Sequence, residues 1–302
     1  NGYRTVTCDE IARLVIDRVS PGPRAVALTF DDGWASAWTA ATPLLKQYGL
    51  RAILFAIPGR IVDAESLRSR AGDGPSFVTW PELKAMHQGG AWDIQSHTRL
   101  HAMIFCGAEI AGFVAPGYAS DPPLERPLVS NDEFLDPDAL GTPIYVRRSR
   151  MSNAMRFLPD ESIADACREH VARRSDFFQR PTWHAELEAI VRKNADSYRI
   201  ETNAAQEAAI KEELARGREL LNDKLATSSV RHVALPWGIC GDVARRSLAD
   251  TGHRTAFAER PFKQRGLTAG DDRFGLMRLN GKFLTCLPGH GRKWFMTTVS
   301  DR

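Results

Sequence analysis

The stretch that constrains this chain most is Ala25-Val26-Ala27-Leu28-Thr29-Phe30-Asp31-Asp32-Gly33. A short apolar run ends in two adjacent carboxylates and a glycine. An apolar run of this length between turn signals reads as a buried strand. Its C-terminal end then carries Asp31 and Asp32 to the rim of a sheet or barrel. Successive side chains on a strand point to opposite faces, so the two carboxylates are expected to do different jobs. A plainer reading of the same residues is a turn at Asp32-Gly33, with Asp32 capping the next helix.

The second constraint lies at Ser96-His97-Thr98-Arg99-Leu100-His101. Two histidines four apart meet on one face if the segment is helical, and both imidazoles then reach one metal ion. The spacing alone is weak evidence in a chain with eight histidines. Here it follows Ala91-Trp92-Asp93-Ile94-Gln95, which reads as another strand ending at the same kind of rim. Asp32, His97 and His101 together would supply one carboxylate and two imidazoles with an open position for water, the donor set of a hydrolytic metal site.

With both motifs in view the chain resembles the NodB-homology polysaccharide deacetylases, carbohydrate esterase family 4. Thr29 to Gly33 match that family's Thr-Phe-Asp-Asp-Gly motif, and His97 to His101 match its His-Ser/Thr-x-x-His motif. Ala234-Leu235-Pro236-Trp237-Gly238 looks like the aromatic-proline loop that follows a later strand. The resemblance covers roughly residues 22–101 and 204–280. It implies an α/β fold, the family's distorted (β/α)7 barrel of NodB type, with a long insertion after the His-x-x-x-His motif.

Composition sets the outer bounds. The 302 residues suffice for one large α/β domain or two small ones, and 43% hydrophobic with 25% charged residues is ordinary for a globular chain. The net charge of +3, from 40 basic and 37 acidic residues, gives no argument for a nucleic-acid partner. No apolar run approaches the length of a membrane span. Five scattered cysteines suggest neither a disulfide framework nor a cysteine-rich zinc site, and point to a reducing, cytoplasmic setting.

Taken in order, residues 8–17 fit a short amphipathic helix through Ile11, Leu14 and Val15. Trp34 to Tyr48 read as a helix stopped by Gly49 and kinked or divided at Pro43. Arg51 to Ile57 read as the second strand of a βαβ unit, hence parallel to the first. Thr79 with Glu82 marks a helix start by a capping box. Asn203 to Leu225 is a long helix, Val230 to Leu235 a strand, Gly241 to Ala249 a helix, and Arg254–Ala258 and Phe274–Leu279 short strands.

The whole of 1–302 is expected to be one deacetylase-like barrel, with residues 102–200 as an insertion or lid within it. Ala115 to Pro143 read as ordered loop, and Leu158 to Val191 as helical with a break at Pro181. Arg147, Arg148, Arg150 and Arg156 put several charges into one stretch, which reads as a solvated face; Arg148 is its candidate substrate contact, suited to an acidic or phosphate-bearing group. The insertion is also the expected route to any oligomer.

The resemblance implies roles residue by residue. Asp32, His97 and His101 would hold a divalent metal; zinc suits the set, as do cobalt and nickel. Asp31 would be the general base. Trp237 would supply a backbone N–H to the oxyanion and a wall for the acetyl group. The arginine the family places before the proline is absent at Ala234-Leu235, so Arg278 is expected to orient Asp31 instead. His290 is the expected general acid, with His184 or a proton recycled by the base as alternatives. The implied activity is removal of the N-acetyl group from a sugar in a polysaccharide, glycolipid or small glycoconjugate, releasing acetate. The rival readings are a same-fold hydrolase of a non-sugar C–N bond and a catalytically silent glycan-binding barrel.

Overall fold

The computed structural model describes residues 2–70, 72–118, 123–130, 132–194, 197–258, 265–279, 281 and 287. The chain forms two compact units. The first comprises Asn1–Leu100, Glu213–Cys240 and Arg245–Arg302; the second comprises His101–Glu212 with Gly241–Ala244.

The first unit opens with β1 (Arg4–Thr5) and α1 (Cys8–Asp17), followed by β2 (Ala25–Val26) and β3 (Thr29–Asp32). Helix α1 starts at Thr7, whose hydroxyl accepts from the Glu10 N–H while its own N–H donates to the Glu10 carboxylate. The expected single strand from Ala25 is divided: β2 pairs with β1, and β3 pairs with β4 (Ala52–Ala56). The helix expected over Trp34–Tyr48 begins as a π turn at Ala37–Ala41 and becomes α2 at Thr42–Gln47. Pro43 has no N–H for the carbonyl four residues back, and the wide turn before it closes through Thr42 to Ala37 O. Helix α3 (Trp80–Gln88) starts where the Thr79 N–H donates to Glu82 at 2.8 Å, and leads into β5 (Trp92–Ser96).

The second unit has its own sheet and core, which the sequence reading did not anticipate. Strand β6 (Met103–Phe113) lies between β7 (Pro127–Leu128) and β8 (Pro143–Ser149). Strand β9 (Phe157–Pro159), α4 (Glu161–Ala172), α5 (Trp183–Lys193) and β10 (Tyr198–Ile200) follow, with β9 and β10 antiparallel. Phe105, Phe113, Tyr145, Phe157, Phe177 and Leu187 are buried together. The arginine stretch is only in part the solvated face expected of it: Arg148 is exposed and Arg147 half-buried, whereas Arg150 and Arg156 are buried. Arg150 forms a buried two-pronged pair with Glu201 at 2.6 and 2.7 Å, and Arg156 donates to the Leu128 and Ser130 carbonyls. Burial this deep is tolerable for a guanidinium because each is hydrogen-bonded.

The chain continues through α6 (Asn203–Leu225), β11 (His232–Ala234), α7 (Asp242–Asp250) and β12 (Thr255–Phe257). In the first unit the strands form a parallel sheet in the order β12-β11-β5-β4-β3. Leu276 adds a parallel bridge beside Phe257, so the described residues give five strands and one bridge against the seven implied. One face packs Leu54, Ala56 and Ile94 against Leu83 of α3 and Leu221 of α6. The other packs Ile53, Phe55 and Ala234 against Ile11 and Val15 of α1. Because the sheet is parallel, β3, β5 and β11 present their C-terminal ends at one rim. No helix among the described residues is long and apolar enough to cross a membrane.

At the opposite end of the sheet two histidines serve the fold. His232 is buried between the Thr255 hydroxyl (2.7 Å) and Asp9 (3.2 Å). His253 is buried with Nδ1 3.0 Å from the Thr251 hydroxyl; burial, then the Arg218 charge, lowers its pKa to about 3. Its ordinary value is near 6.5, so between pH 6.5 and about 3 the unfolded chain binds a proton that the folded chain refuses. Stability therefore falls as pH drops through that window. Replacing His253 by Gln should flatten the loss between pH 6.5 and 4.5 by about 1–2 kcal/mol, read from urea unfolding at each pH; an unchanged slope would assign the acid sensitivity elsewhere.

Candidate active site

Strand β3 delivers two carboxylates to two different partners. Asp31 pairs in register with Phe55, and Arg278 lies 5.4 Å from the centre of the Phe55 ring. From there its guanidinium grips both Asp31 oxygens, at 2.6 and 2.7 Å. This planar two-pronged pair fixes the carboxylate's orientation as well as its charge. The structure thus places Arg278, the residue expected to orient Asp31, directly against it.

Strict alternation would send Asp32 to the opposite face. Instead Asp32 has φ of 72° and Gly33 has φ of 83°, so the pleat ends in a left-handed turn. The turn brings Asp32 Oδ1 to 3.4 Å from His97 Nε2, while Asp31 Oδ2 stands 4.0 Å from the same nitrogen. The second oxygen of Asp32 accepts from the Trp34 indole N–H at 2.9 Å. Trp34 is itself stacked on Phe77, ring centres 4.6 Å apart.

His97 and His101 do not converge by a helical turn. The segment after β5 is a tight loop in which Thr98 (φ 64°) and His101 (φ 55°) are left-handed. Four of the seven non-glycine residues with positive φ among the described residues, Asp32, Thr98, His101 and Trp237, stand at this rim. Such conformations cost of order 1 kcal/mol each and persist only where surrounding contacts fix them. The contacts are visible. Arg99 N donates to Glu213 O, Leu100 N donates to the Glu213 carboxylate, and Gly59 N donates to Arg99 O. A Cβ on Gly217 of α6 would stand 2.8 Å from Arg99 N and Thr98 C, and one on Gly59 would stand 2.7 Å from Arg99 O. Two glycines thus let the backbone of the loop approach closely enough to be held.

His97 Nδ1 lies 2.7 Å from the Ala234 carbonyl, which can only accept, so Nδ1 carries a proton and Nε2 is the nitrogen that faces Asp32. Asp32, His97 and His101 each offer one donor atom, and these atoms lie within 4.8 Å of one another. Both imidazoles are buried and Asp32 is half-buried. A carboxylate and two imidazoles, one of them oriented by a backbone carbonyl, fit a divalent metal.

Trp237 follows β11 at the same rim, 38% exposed, with φ of 54°. Arg148 stands exposed on β8 with a guanidinium nitrogen 3.2 Å from the Arg147 carbonyl. His184 stands on α5 beside Glu188 and against Phe113. His290 lies outside the described residues. Sequence reasoning missed Trp34, Gly59, Glu213 and Gly217; a lone glycine inside the otherwise helix-favouring run 203–225 was the one readable signal among them.

The polysaccharide deacetylase family model matches residues 18–135, a span that contains both carboxylates and both histidines. Over that span the chain is similar to the polysaccharide deacetylase family. The family is one of hydrolases that cleave carbon–nitrogen bonds. YxkH of Bacillus subtilis, a candidate polysaccharide deacetylase, is 34% identical over 101 residues, a match spanning 33% of this chain and 32% of that one. Two solved structures share the distorted NodB-type (β/α) barrel. A de-N-acetylase from Aggregatibacter actinomycetemcomitans has a TM-score of 0.56 at 19% identity, covering 92% of this chain and 78% of its own. The BpsB deacetylase domain from Bordetella bronchiseptica has a TM-score of 0.56 at 17% identity, with the same coverage.

Two variants test the supports of the site. Trp34→Phe keeps the stack on Phe77 but removes the N–H on Asp32; zinc affinity should fall about 10–100-fold with little change in Tm. Equal affinity in both proteins would remove Trp34 from the site. Gly217→Ala should cost about 1–3 kcal/mol by forcing the loop from α6, despite the better helix propensity of alanine, and should weaken zinc binding too. A stabilised Gly217→Ala protein with intact zinc binding would contradict the close approach.

Proposed function

We propose that the protein is a metal-dependent N-deacetylase of an N-acetylated sugar carried in a polysaccharide, glycolipid or small glycoconjugate. The observation that carries the reading is the division of the two carboxylates: Arg278 grips Asp31, while Asp32 faces His97 and His101. Asp32, His97 and His101 would hold the ion, zinc by preference. Bound there, it would polarise the acetamide carbonyl and acidify water.

The remaining chemistry belongs to the chain. Asp31 takes the proton of the attacking water, and Arg278 holds its carboxylate in a fixed orientation. The Trp237 N–H donates to the oxygen that becomes negative as the carbonyl carbon turns tetrahedral. The exposed Trp237 ring walls the acetyl methyl. When the C–N bond breaks, Asp31 returns its proton to the leaving amine. One amide and one water yield one acetate and one amine.

Acetate release from an N-acetylglucosamine oligomer panel tests this. Release should vanish on chelation and return with zinc, and Asp31→Asn should lower kcat about 10²–10⁴-fold. Release indifferent to chelation, or none from protein holding one zinc per chain with any N-acetylated sugar offered, would overturn the reading.

A further inference from the structure

The proposed oxyanion donor, the Trp237 N–H, sits in an uncommon turn. Trp237 has φ of 54° and Gly238 has φ of 68°. Two bonds close the turn from within: Gly238 N donates to Leu235 O at 2.9 Å, and Ile239 N donates to Pro236 O at 3.1 Å. A left-handed tryptophan is unfavourable by itself and keeps its place only where the chain around it is held. On the N-terminal side the hold is strand β11 with its extension: Leu235 N donates to Phe257 O at 2.9 Å, and the Ala234 carbonyl accepts from His97 Nδ1. On the C-terminal side the chain runs through Gly241 into α7.

Gly241 and Asp242 belong to the second unit, and there one turn receives them. Gly241 N donates to Met151 O at 2.7 Å, and Asp242 N donates to Asn153 Oδ1 at 2.6 Å. Asn153 Nδ2 donates back to the Asp242 carboxylate at 3.2 Å. The Asn153 side chain thus satisfies the first N–H of α7 from far along the chain. The approach is close. A Cβ on Gly241 would stand 2.5 Å from Asn153 Oδ1 and 2.6 Å from Ser152 C. No left-handed φ demands a glycine at 241, so the missing Cβ is what matters there. The receiving turn is itself tied down. Met151 N donates to Ser149 Oγ at 3.2 Å, Ser152 Oγ donates to Ser149 O at 2.6 Å, and Gln206 Nε2 of α6 donates to Ala154 O at 2.9 Å. Within it, Arg150 makes its buried pair with Glu201.

We infer that the turn 149–154 of the second unit is a positioning element for Trp237, with Asn153 and Gly241 as its contact residues. It fixes the chain four residues beyond Trp237 and so limits the directions the Trp237 N–H can take. The aim of that donor counts because the charge on the oxygen develops only on the way to the transition state. The catalytic consequence rests on the deacetylase reading; the hold on the turn does not.

The test uses the full-length protein and two readouts. One is amide exchange by mass spectrometry over 236–242, where the Gly238, Ile239, Gly241 and Asp242 N–H groups are bonded. The other is acetate release from N-acetylglucosamine tetramer at saturating zinc. Gly241→Ala should speed exchange over 236–242 about fivefold or more and leave 97–101 unchanged. It should lower kcat about tenfold at unchanged KM and zinc content. Asn153→Asp keeps an acceptor for Asp242 N but sets two carboxylates together, and should act in the same direction, about threefold. Both residues are exposed, so this change leaves the core untouched and decides the matter if Gly241→Ala fails to fold. Adding Asp242→Asn to Asn153→Asp restores one donor and one acceptor, and should return both readouts to the parent values. Exchange unmoved in the single variants, a defect that Asp242→Asn does not relieve, or zinc lost in step with kcat would overturn the inference. Faster exchange in the single variants of a protein that releases no acetate would sink the deacetylase reading and leave the hold standing. Acetate release with exchange and kcat blind to every variant would do the reverse.

Discussion

The site depends on the grip of Arg278 on Asp31. Two carboxylates adjacent in sequence, both within 4 Å of one imidazole nitrogen, would otherwise compete for whatever cation comes to the rim. Arg278 occupies both oxygens of Asp31, which leaves Asp32 to turn towards the histidines. The arginine reaches that position over the Phe55 ring. The core packing of β4 and the charge distribution of the rim are therefore one arrangement.

The second requirement is a loop that holds two imidazoles without being a helix. Left-handed residues at Thr98 and His101 are unfavourable in isolation. They are retained because Gly59 and Gly217 admit the loop backbone and Glu213 ties it. Strain at the rim is offset by packing in the layer behind it, the usual relation between a functional loop and a rigid scaffold.

Both halves of the site were legible as residue types. The apolar run into Asp31-Asp32 and the strand into His97 needed only local patterns, α1 was readable from periodicity and α6 from its run of helix-favouring residues. What was not legible was how the motifs converge. The four-residue histidine spacing suggested a helix, but the loop reaches the same end through two left-handed residues. Strand alternation separated Asp31 from Asp32, but the turn at Asp32 undoes it. Glu213 and Gly217 act on the loop from more than a hundred residues away, which no local pattern encodes. The sheet of the second unit was hidden for the same reason: β6 pairs with β8 some forty residues later, without a tight hairpin turn to announce it.

The division of labour between Asp31 and Asp32 is tested most directly by counting bound zinc in Asp31→Asn and Asp32→Asn proteins after exhaustive dialysis. The structure predicts one zinc per chain in Asp31→Asn and none in Asp32→Asn. Zinc retained by Asp32→Asn and lost from Asp31→Asn, or lost equally from both, would contradict it.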